Sequence, residues 1–132
     1  MTRPSNPSTR RRSQEGAAAV EFALIASILF MVLFGIIEFG RLFSELEVLN
    51  SAAREGARVA AVRGTGEAVA DAVADAADPY ELDENPTADK VCDDSTAGEP
   101  VTVAWDQNFQ FSVGLLPDFN QTMQIKGVFR CE

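Results

Sequence analysis

The stretch from Gly16 to Phe43, GAAAVEFALIASILFMVLFGIIEFGRLF, decides the architecture of this 132-residue chain. Its central part carries no charge, and only Ser27 and Gly35 interrupt the apolar run. Because an α-helix rises about 1.5 Å per residue, Ala17 to Phe39 reaches roughly 35 Å, which exceeds a hydrocarbon core of about 30 Å. A helix in the core of a soluble domain has a polar face, and this stretch has none. We therefore predict a single transmembrane helix over residues 17–40.

Charge is distributed unevenly on the two sides of this helix. Residues 1–16 form a basic leader with four arginines and one glutamate, whereas the rest of the chain carries 7 basic and 19 acidic residues. The positive-inside rule therefore places the leader in the cytoplasm and everything after Phe43 outside. Residues 1–15 are rich in Pro, Ser, Thr and Arg without apolar periodicity, so we predict them to be disordered in isolation. The formal net charge of the whole chain is -9, and the acidic residues are concentrated after residue 16. This acidity argues against binding to nucleic acid, which requires a basic surface.

One carboxylate, Glu21, lies inside the apolar stretch, where a charge costs about 2.5–3.5 kcal/mol on insertion scales. In one interpretation it marks the start of the helix, because helix N-termini favour negative charge. In the other, cleavage after Gly16 creates an α-amino group on Ala17, four residues from Glu21 and on the same helix face. That amine and Glu21 would then pair within one chain or between neighbours. A secretory signal peptide would instead have a shorter apolar region that ends at a cleavage site of A-x-A type, and Glu38 to Arg41 offers no such site.

The leader, Gly16, AAAVEF and the long apolar helix together resemble the class III signal of type IV pilin-like proteins. GAAAVEFAL, followed by IIEFGRLF and AAREGAR, resembles more specifically the TadE-like family, the minor pilins or pseudopilins of Tad/Flp pilus systems. The resemblance implies processing between Gly16 and Ala17 by a prepilin peptidase. It also implies a role in assembly for Glu21 and Phe22, with Glu21 neutralising the Ala17 amine of a neighbouring subunit. Many such helices carry a proline near the position of Ser27, and this chain does not.

On this resemblance the protein is a single-pass subunit of the bacterial plasma (inner) membrane that helps to assemble a pilus and can become part of it. Its partners are then the membrane, the prepilin peptidase, other pilin or pseudopilin subunits and the Tad pilus assembly machinery. The alternative is an uncleaved anchor whose extracytoplasmic domain is a binding or scaffold subunit of an envelope complex. An anchor has no need of Gly16 and Glu21 at this spacing.

Beyond the membrane, residues 41–63 are predicted to continue as an extracytoplasmic amphipathic helix. Its apolar residues recur at intervals of three and four: Leu42, Leu46, Leu49, Ala53, Ala57 and Ala60. Small residues between Ser51 and Ala61 would let another helix approach closely. That face can cover the chain's own small domain, but the family resemblance favours packing against helices of other subunits. Gly64 and Gly66 predict the end of the helix.

Residues 64–132 are predicted to form a small acidic α+β extracytoplasmic domain. Glu67 to Ala77 has the pattern of a short helix, with Thr65 as its N-cap. Period-two alternation predicts three antiparallel strands, near residues 101–105, 109–115 and 123–130. Asp106 to Asn108 would form a tight turn between the first two strands, and residues 116–122 a longer turn before the third. Either helix could cover the apolar face of this sheet.

Both cysteines, Cys92 and Cys131, fall on the predicted outer side, where a disulfide is the default. Closing a loop of roughly 40 residues is worth about 4 kcal/mol in the chain-entropy model. Two cysteines without any histidine argue against a zinc site.

The remaining chemistry of the chain points away from catalysis. Calcium ligands could be sought in the acidic stretch at residues 78–100, but Ala88 and Asp94 stand where an EF-hand loop needs glycine and glutamate. We therefore interpret this stretch as a solvated loop. The chain has no histidine, the commonest general base, and neither a nucleophile-elbow nor a phosphate-binding motif. We predict no enzymatic activity, no cofactor and no metal.

Overall fold

The computed structural model describes residues 7–112 and 117–132. Two helices precede three strands: α1 (Pro7–Ala61), α2 (Gly66–Ala77), β1 (Thr87–Ala88), β2 (Pro100–Phe111) and β3 (Phe119–Arg130). The strands form one antiparallel sheet in the order β1-β2-β3. The predicted α+β class is confirmed.

The first half of α1 projects away from the rest of the protein. Within the described residues, this is the one helix that is long and apolar enough to cross a membrane, and its most apolar window has no buried residue. Large apolar side chains such as Phe22 and Phe34 are more than half exposed. Because fully burying one such side chain is worth about 1.5–3 kcal/mol, a run of them in water would be strongly unfavourable. The helix therefore supports a single-pass membrane protein.

Residues 7–15, which we predict to be disordered in isolation, are helical as part of the long helix α1. Pro7 is the first residue of α1, a position where proline is favoured because its fixed φ suits the helix and its missing N–H is not needed. Extending an existing helix requires no new nucleus, so the apolar run can propagate helix into a polar flank. The part of the prediction that concerns residues 1–6 lies outside the described residues.

The second half of α1 covers the sheet and also packs on α2. Its buried residues are mostly small: Leu49, Ala52, Ala53, Gly56, Ala57, Ala60 and Ala61. The expectation that these small residues pack against helices of other subunits is wrong, because they are already covered by the chain's own domain. A Cβ added at Gly56 would overlap Val73 of α2. A Cβ added at Gly127 of β3 would overlap the carbonyl group of Ala53. Small residues thus let α1 approach both neighbours closely.

The tight turn predicted at Asp106–Asn108 is wrong, since β2 runs through it as one 12-residue strand. The alternation of buried residues continues without a break at Trp105, Gln107 and Phe109. Gln107 is buried and its amide is satisfied: Oε1 accepts from Trp105 Nε1 (3.2 Å) and from the N–H of Asp83 (3.2 Å), and Nε2 donates to the carbonyl of Glu81 (3.1 Å). A polar residue therefore continues the buried face of the strand.

The number of strands is as predicted, but their identity differs. β1 is a two-residue strand in the acidic loop, and it pairs with Val103 and Ala104. β2 and β3 form a long hairpin in which Val103 faces Gly127 and Phe111 faces Phe119. The parts of the predicted second strand and of the longer turn that fall on residues 113–116 lie outside the described residues.

The end of α1 is formed by a C-terminal capping motif. The N–H of Gly64 donates to the carbonyl of Val59 (3.1 Å), and the N–H of Arg63 donates to that of Ala60 (3.3 Å). This is the hydrogen-bond pattern of a Schellman motif, whose left-handed position is normally glycine. Here Arg63 holds that position with φ of 67°. The next helix, α2, begins as predicted, because Thr65 Oγ1 accepts from the N–H of Ala68 (3.2 Å).

Cys131 and Glu132 hold the C-terminal residues of the chain against the acidic loop and the C-terminal end of α1. A disulfide joins Cys92 to Cys131, with 5.4 Å between their Cα atoms and a sequence separation of 39. The backbone of Cys131 donates to Glu99 and accepts from Gly98 (both 2.8 Å), and the N–H of Glu132 donates to the carbonyl of Ala61 (3.1 Å). The acidic loop, β3 and α1 are thus held together at one point.

Candidate processing and assembly site

The four residues that the sequence assigns to processing and assembly lie within about two turns of α1. Gly16, Ala17, Glu21 and Phe22 are all exposed and contact no part of the sheet domain. Ala17 and Glu21 are four residues apart in continuous helix, so their side chains lie on the same face. Phe22 is 73% exposed on the adjacent face. The structure therefore leaves this segment accessible to other proteins and to lipid.

Gly16 occupies open space, with no atom within 4 Å of a Cβ placed on it. Glycine in a helix interior is less favourable than alanine by about 0.8–1.0 kcal/mol. It therefore weakens α1 at the junction between the leader and the apolar run.

Ser27 lies where related helices often carry proline, and α1 is unbroken there. Its hydroxyl donates to the carbonyl of Ala23 at 2.8 Å. This internal hydrogen bond satisfies the polar group without any partner outside the helix. The departure from the pattern removes a proline kink but leaves the candidate site unchanged.

A charged cluster at the end of the apolar run was not recognised from the sequence. Arg41 bonds to Glu38 at 2.8 Å and to Glu45 at 3.3 Å. Its guanidinium also donates to the carbonyl of Gln110 at 3.0 Å, and Glu38 accepts from the N–H of Ser112 at 3.5 Å. The spacing of these three residues, three and four apart, is the available signal for the ion pairs. The contacts with the last residues of β2 could not be foreseen from local sequence.

The acidic side chains considered as calcium ligands are used within the domain itself. Asp83 accepts from the backbone N–H of Asn108 (2.7 Å), and Asp89 accepts from that of Thr102 (2.8 Å). Asp94 pairs with Arg63. Across the described ranges, no group of three or more His, Cys, Asp or Glu side chains is arranged to hold a metal ion. Asp83 and Asp89 thus hold the loop against β2, and Asp94 holds it against the end of α1.

Asp93 next to the disulfide organises a tight turn in the same loop. Its carboxylate accepts from the hydroxyl of Ser95 (2.6 Å), from the N–H of Ser95 (2.8 Å) and from the N–H of Thr96 (3.0 Å). These bonds, that of the Ser95 hydroxyl first, lower the pKa of Asp93 below its ordinary value. The turn presents Cys92 towards Cys131.

The candidate residues therefore share one exposed helical segment that begins at Gly16 and continues to the start of the packed domain. Residues 16–58 match the model of the family described as TadE-like protein. The match confirms the resemblance seen in the sequence, and we refer to these residues as the TadE-like segment. No curated protein and no solved structure matched the chain.

The TadE-like segment includes the candidate site, the apolar run and the charged cluster around Arg41. It stops near the end of α1, so α2 and the whole sheet lie outside the match. The family therefore accounts for the helix, while the role of the sheet domain has to be argued from its own structure.

Proposed function

We propose that the protein is a minor pilin or pseudopilin that acts in assembly of a Tad/Flp type IV pilus. The observation that carries the proposal is the match of residues 16–58 to the TadE-like family. The exposed helical position of Gly16, Ala17, Glu21 and Phe22 within this range is consistent with it. The family is structural rather than enzymatic, and we propose no catalytic activity for this chain. The apolar helix holds the precursor in the plasma membrane until it is used.

Processing takes place after Gly16, on the cytoplasmic side, by a prepilin peptidase. The arginines of the leader retain that end in the cytoplasm. A Cys92–Cys131 disulfide agrees with an extracytoplasmic location of the domain, because such bonds persist in oxidising compartments. Removal of residues 1–16 leaves Ala17 as the new N-terminus.

Glu21 then pairs with the new amino group of Ala17 on a neighbouring subunit. An uncompensated carboxylate in the apolar segment costs about 2.5–3.5 kcal/mol, and a cation next to it reduces that cost. A neighbour can supply the amine only in one register along the helix, so the same pair selects the alignment of subunits. Phe22 contributes an exposed apolar surface beside the charge pair.

Contacts with other subunits are restricted to the membrane-proximal part of α1. The small-residue face between Ala52 and Ala61 is covered by the sheet and α2, so it is not available to a second helix. The exposed apolar residues between Val20 and Phe43 remain for packing with other pilin helices. The sheet domain is then carried on the outside of the bundle.

The proposal is tested by intact-mass measurement of the membrane-extracted protein, produced with and without a prepilin peptidase. We expect a peptidase-dependent loss of residues 1–16, which Gly16→Leu abolishes. Gly35→Leu is the matched control, because Gly35 lies in the same helix with equally open surroundings and should be processed normally. An unchanged mass, with the peptidase active on another substrate, contradicts processing.

The second candidate function is an uncleaved anchor that carries a binding or scaffold domain in an envelope complex. Two observations favour it: α1 is helical on both sides of Gly16, and the sheet domain lies outside the family match. Such a protein would keep residues 1–16 in cells that contain an active peptidase. The same mass measurement therefore separates the two functions.

A further inference from the structure

The hairpin formed by β2 and β3 points towards the membrane. Gly127 of β3 contacts α1 at Ala53, and Val103 of β2 lies opposite Gly127. From Val103, β2 advances about 26 Å to Phe111 at roughly 3.3 Å per residue. From Ala53, α1 runs back about 21 Å to Phe39 at 1.5 Å per residue. Phe111 and its partner Phe119 therefore reach the level at which the apolar run ends.

Direct contacts between α1 and the hairpin support this alignment. The guanidinium of Arg41 donates to the carbonyl of Gln110, and the N–H of Ser112 donates to Glu38. Glu38 and Arg41 are the first charged residues after the apolar run, in which the preceding charge is Glu21. The described end of β2 is thus attached to α1 where the helix leaves the membrane.

An apolar cleft of about 260 Å³ lies between α1 and the hairpin at this level, and we call it the membrane-proximal cleft. Its walls carry Phe39, Phe43, Phe109, Phe111, Phe119 and Met123. No charged residue lines it, and Gln121 is the one amide among its lining residues within the described ranges. Phe39, Phe43 and Phe119 are 66%, 55% and 58% exposed. Such a concentration of exposed aromatic rings marks a surface that is covered in the working protein.

We propose that acyl chains of the surrounding lipid fill the membrane-proximal cleft, so that Phe111 of β2 and Phe119 of β3 rest in the outer interface of the bilayer. The cleft is continuous with the lipid-facing surface of α1, because the residues three and four positions before Phe39 on the same helix face, Ile36 and Gly35, are uncharged. Glu38 and Arg41 neutralise each other at the same level and suit the headgroup region. The sheet domain is then held at a constant height and tilt over the membrane.

This proposal rests on the membrane-spanning helix and not on processing or on pilus assembly. It therefore can be tested with the full-length, unprocessed protein, and its failure would leave the proposed function unaffected. The test uses lipid nanodiscs that hold a single copy of the protein. Their acyl chains are either brominated, which quenches tryptophan fluorescence on contact, or unbrominated.

The reporter is Phe119→Trp in the cleft, and the matched control is Phe129→Trp. Both positions lie on β3 and on the same face of the sheet, about 33 Å apart along the strand at roughly 3.3 Å per residue. The native Trp105, the one tryptophan of the chain, is buried and supplies a constant background. Phe43→Trp on α1 is a second reporter that does not alter the sheet. All variants are first checked for an intact disulfide and for a resistance to protease like that of the wild type.

We expect brominated lipid to remove most of the added fluorescence of Phe119→Trp and Phe43→Trp and little of that of Phe129→Trp. Equal quenching at Phe119 and Phe129 would overturn the proposal. Quenching of Phe119→Trp by aqueous iodide instead of lipid would show a solvated cleft and would also overturn it. If Phe119→Trp becomes shielded from both quenchers only when two copies share a disc, the occupant is a second copy and the lipid proposal is wrong.

Discussion

Gly127→Ala should destabilise the sheet domain strongly, because this glycine is where β3 touches the backbone of α1. A Cβ at this position overlaps the carbonyl group of Ala53 and comes too close to the N–H of Arg54. Backbone atoms cannot rotate away as a flexible side chain can, so α1 and β3 have to separate. Overpacking of a well-packed core typically costs about 1–3 kcal/mol, and contact with backbone places this site at the upper end, about 3 kcal/mol.

The effect is measured by urea unfolding of the full-length protein in detergent, followed by the fluorescence of Trp105. This residue lies in the core on β2, two pairs along from the Val103–Gly127 pair, so it reports on the affected contact. A change of 1 kcal/mol shifts the melting temperature of a 60–100-residue domain by about 4–8 °C. In a parallel thermal denaturation we therefore expect the melting temperature of Gly127→Ala to lie at least about 10 °C below that of the wild type.

Gly66→Ala is the matched control, because a Cβ there meets nothing within 4 Å. Alanine favours helix over glycine, so this change at the first residue of α2 should be neutral or raise stability by up to about 1 kcal/mol. If Gly127→Ala left the free energy of unfolding within about 0.5 kcal/mol of the wild type, a magnitude typical of neutral surface changes, the close packing of β3 on α1 would be refuted.

Three further predictions concern the assembly carboxylate, the disulfide and the acidic turn. Glu21→Ala should spare membrane insertion but reduce the number of surface pili, whereas Glu47→Ala, an exposed carboxylate further along α1, should not; normal piliation of Glu21→Ala cells would contradict the pairing role. Reduction of the disulfide at Cys92 should lower the free energy of unfolding by about 2–4 kcal/mol, seen as a shift of the urea midpoint; an unchanged midpoint would show that the bond constrains nothing. The lowered pKa of Asp93 means that its bonds to Ser95 stabilise the fold above the pKa of the unfolded chain, near 3.9, and are lost as pH falls through the lower folded value. Asp93→Asn should therefore flatten the acid side of a stability-against-pH curve, and an unaltered curve would assign the acid sensitivity to other carboxylates.

The strands show where local sequence reasoning succeeds and where it fails. Alternation correctly identified the buried face from Val101 to Phe109, but Asp106 to Asn108 was interpreted as a turn because polar residues cluster there. What decides the matter is Gln107, whose buried amide is satisfied by backbone groups of Glu81 and Asp83 more than twenty residues away. Glu81 and Asp83 belong to a loop, and no local sequence pattern predicts that they bond to Gln107. The same loop supplies the unforeseen strand β1.

The candidate site is a prediction from sequence alone, and it could be made because its features are local. Gly16, the spacing of Ala17 and Glu21, and the length of the apolar run all lie within one helix, whose geometry converts separation along the chain into position on a face. The ion pairs of the charged cluster could be predicted for the same reason, because Glu38, Arg41 and Glu45 lie three and four residues apart in a helix. The hydrogen bonds of Arg41 and Glu38 to the end of β2 could not be predicted from sequence, because they join residues about seventy positions apart.

The sequence by itself determined that this chain has one long apolar helix, a capped second helix that starts after Thr65, and an alternating β region closed by two cysteines. These are consequences of helix rise, periodicity and capping, which depend on neighbouring residues. Only the tertiary structure decided what covers the small-residue face of α1. Alanines and glycines permit close approach by any partner, and the sheet and α2 of the same chain occupy that face because they are tethered beside it. It also decided that β2 and β3 run back along α1 to the level where the apolar run ends, because strand length and the contact of Gly127 with Ala53 together set their reach.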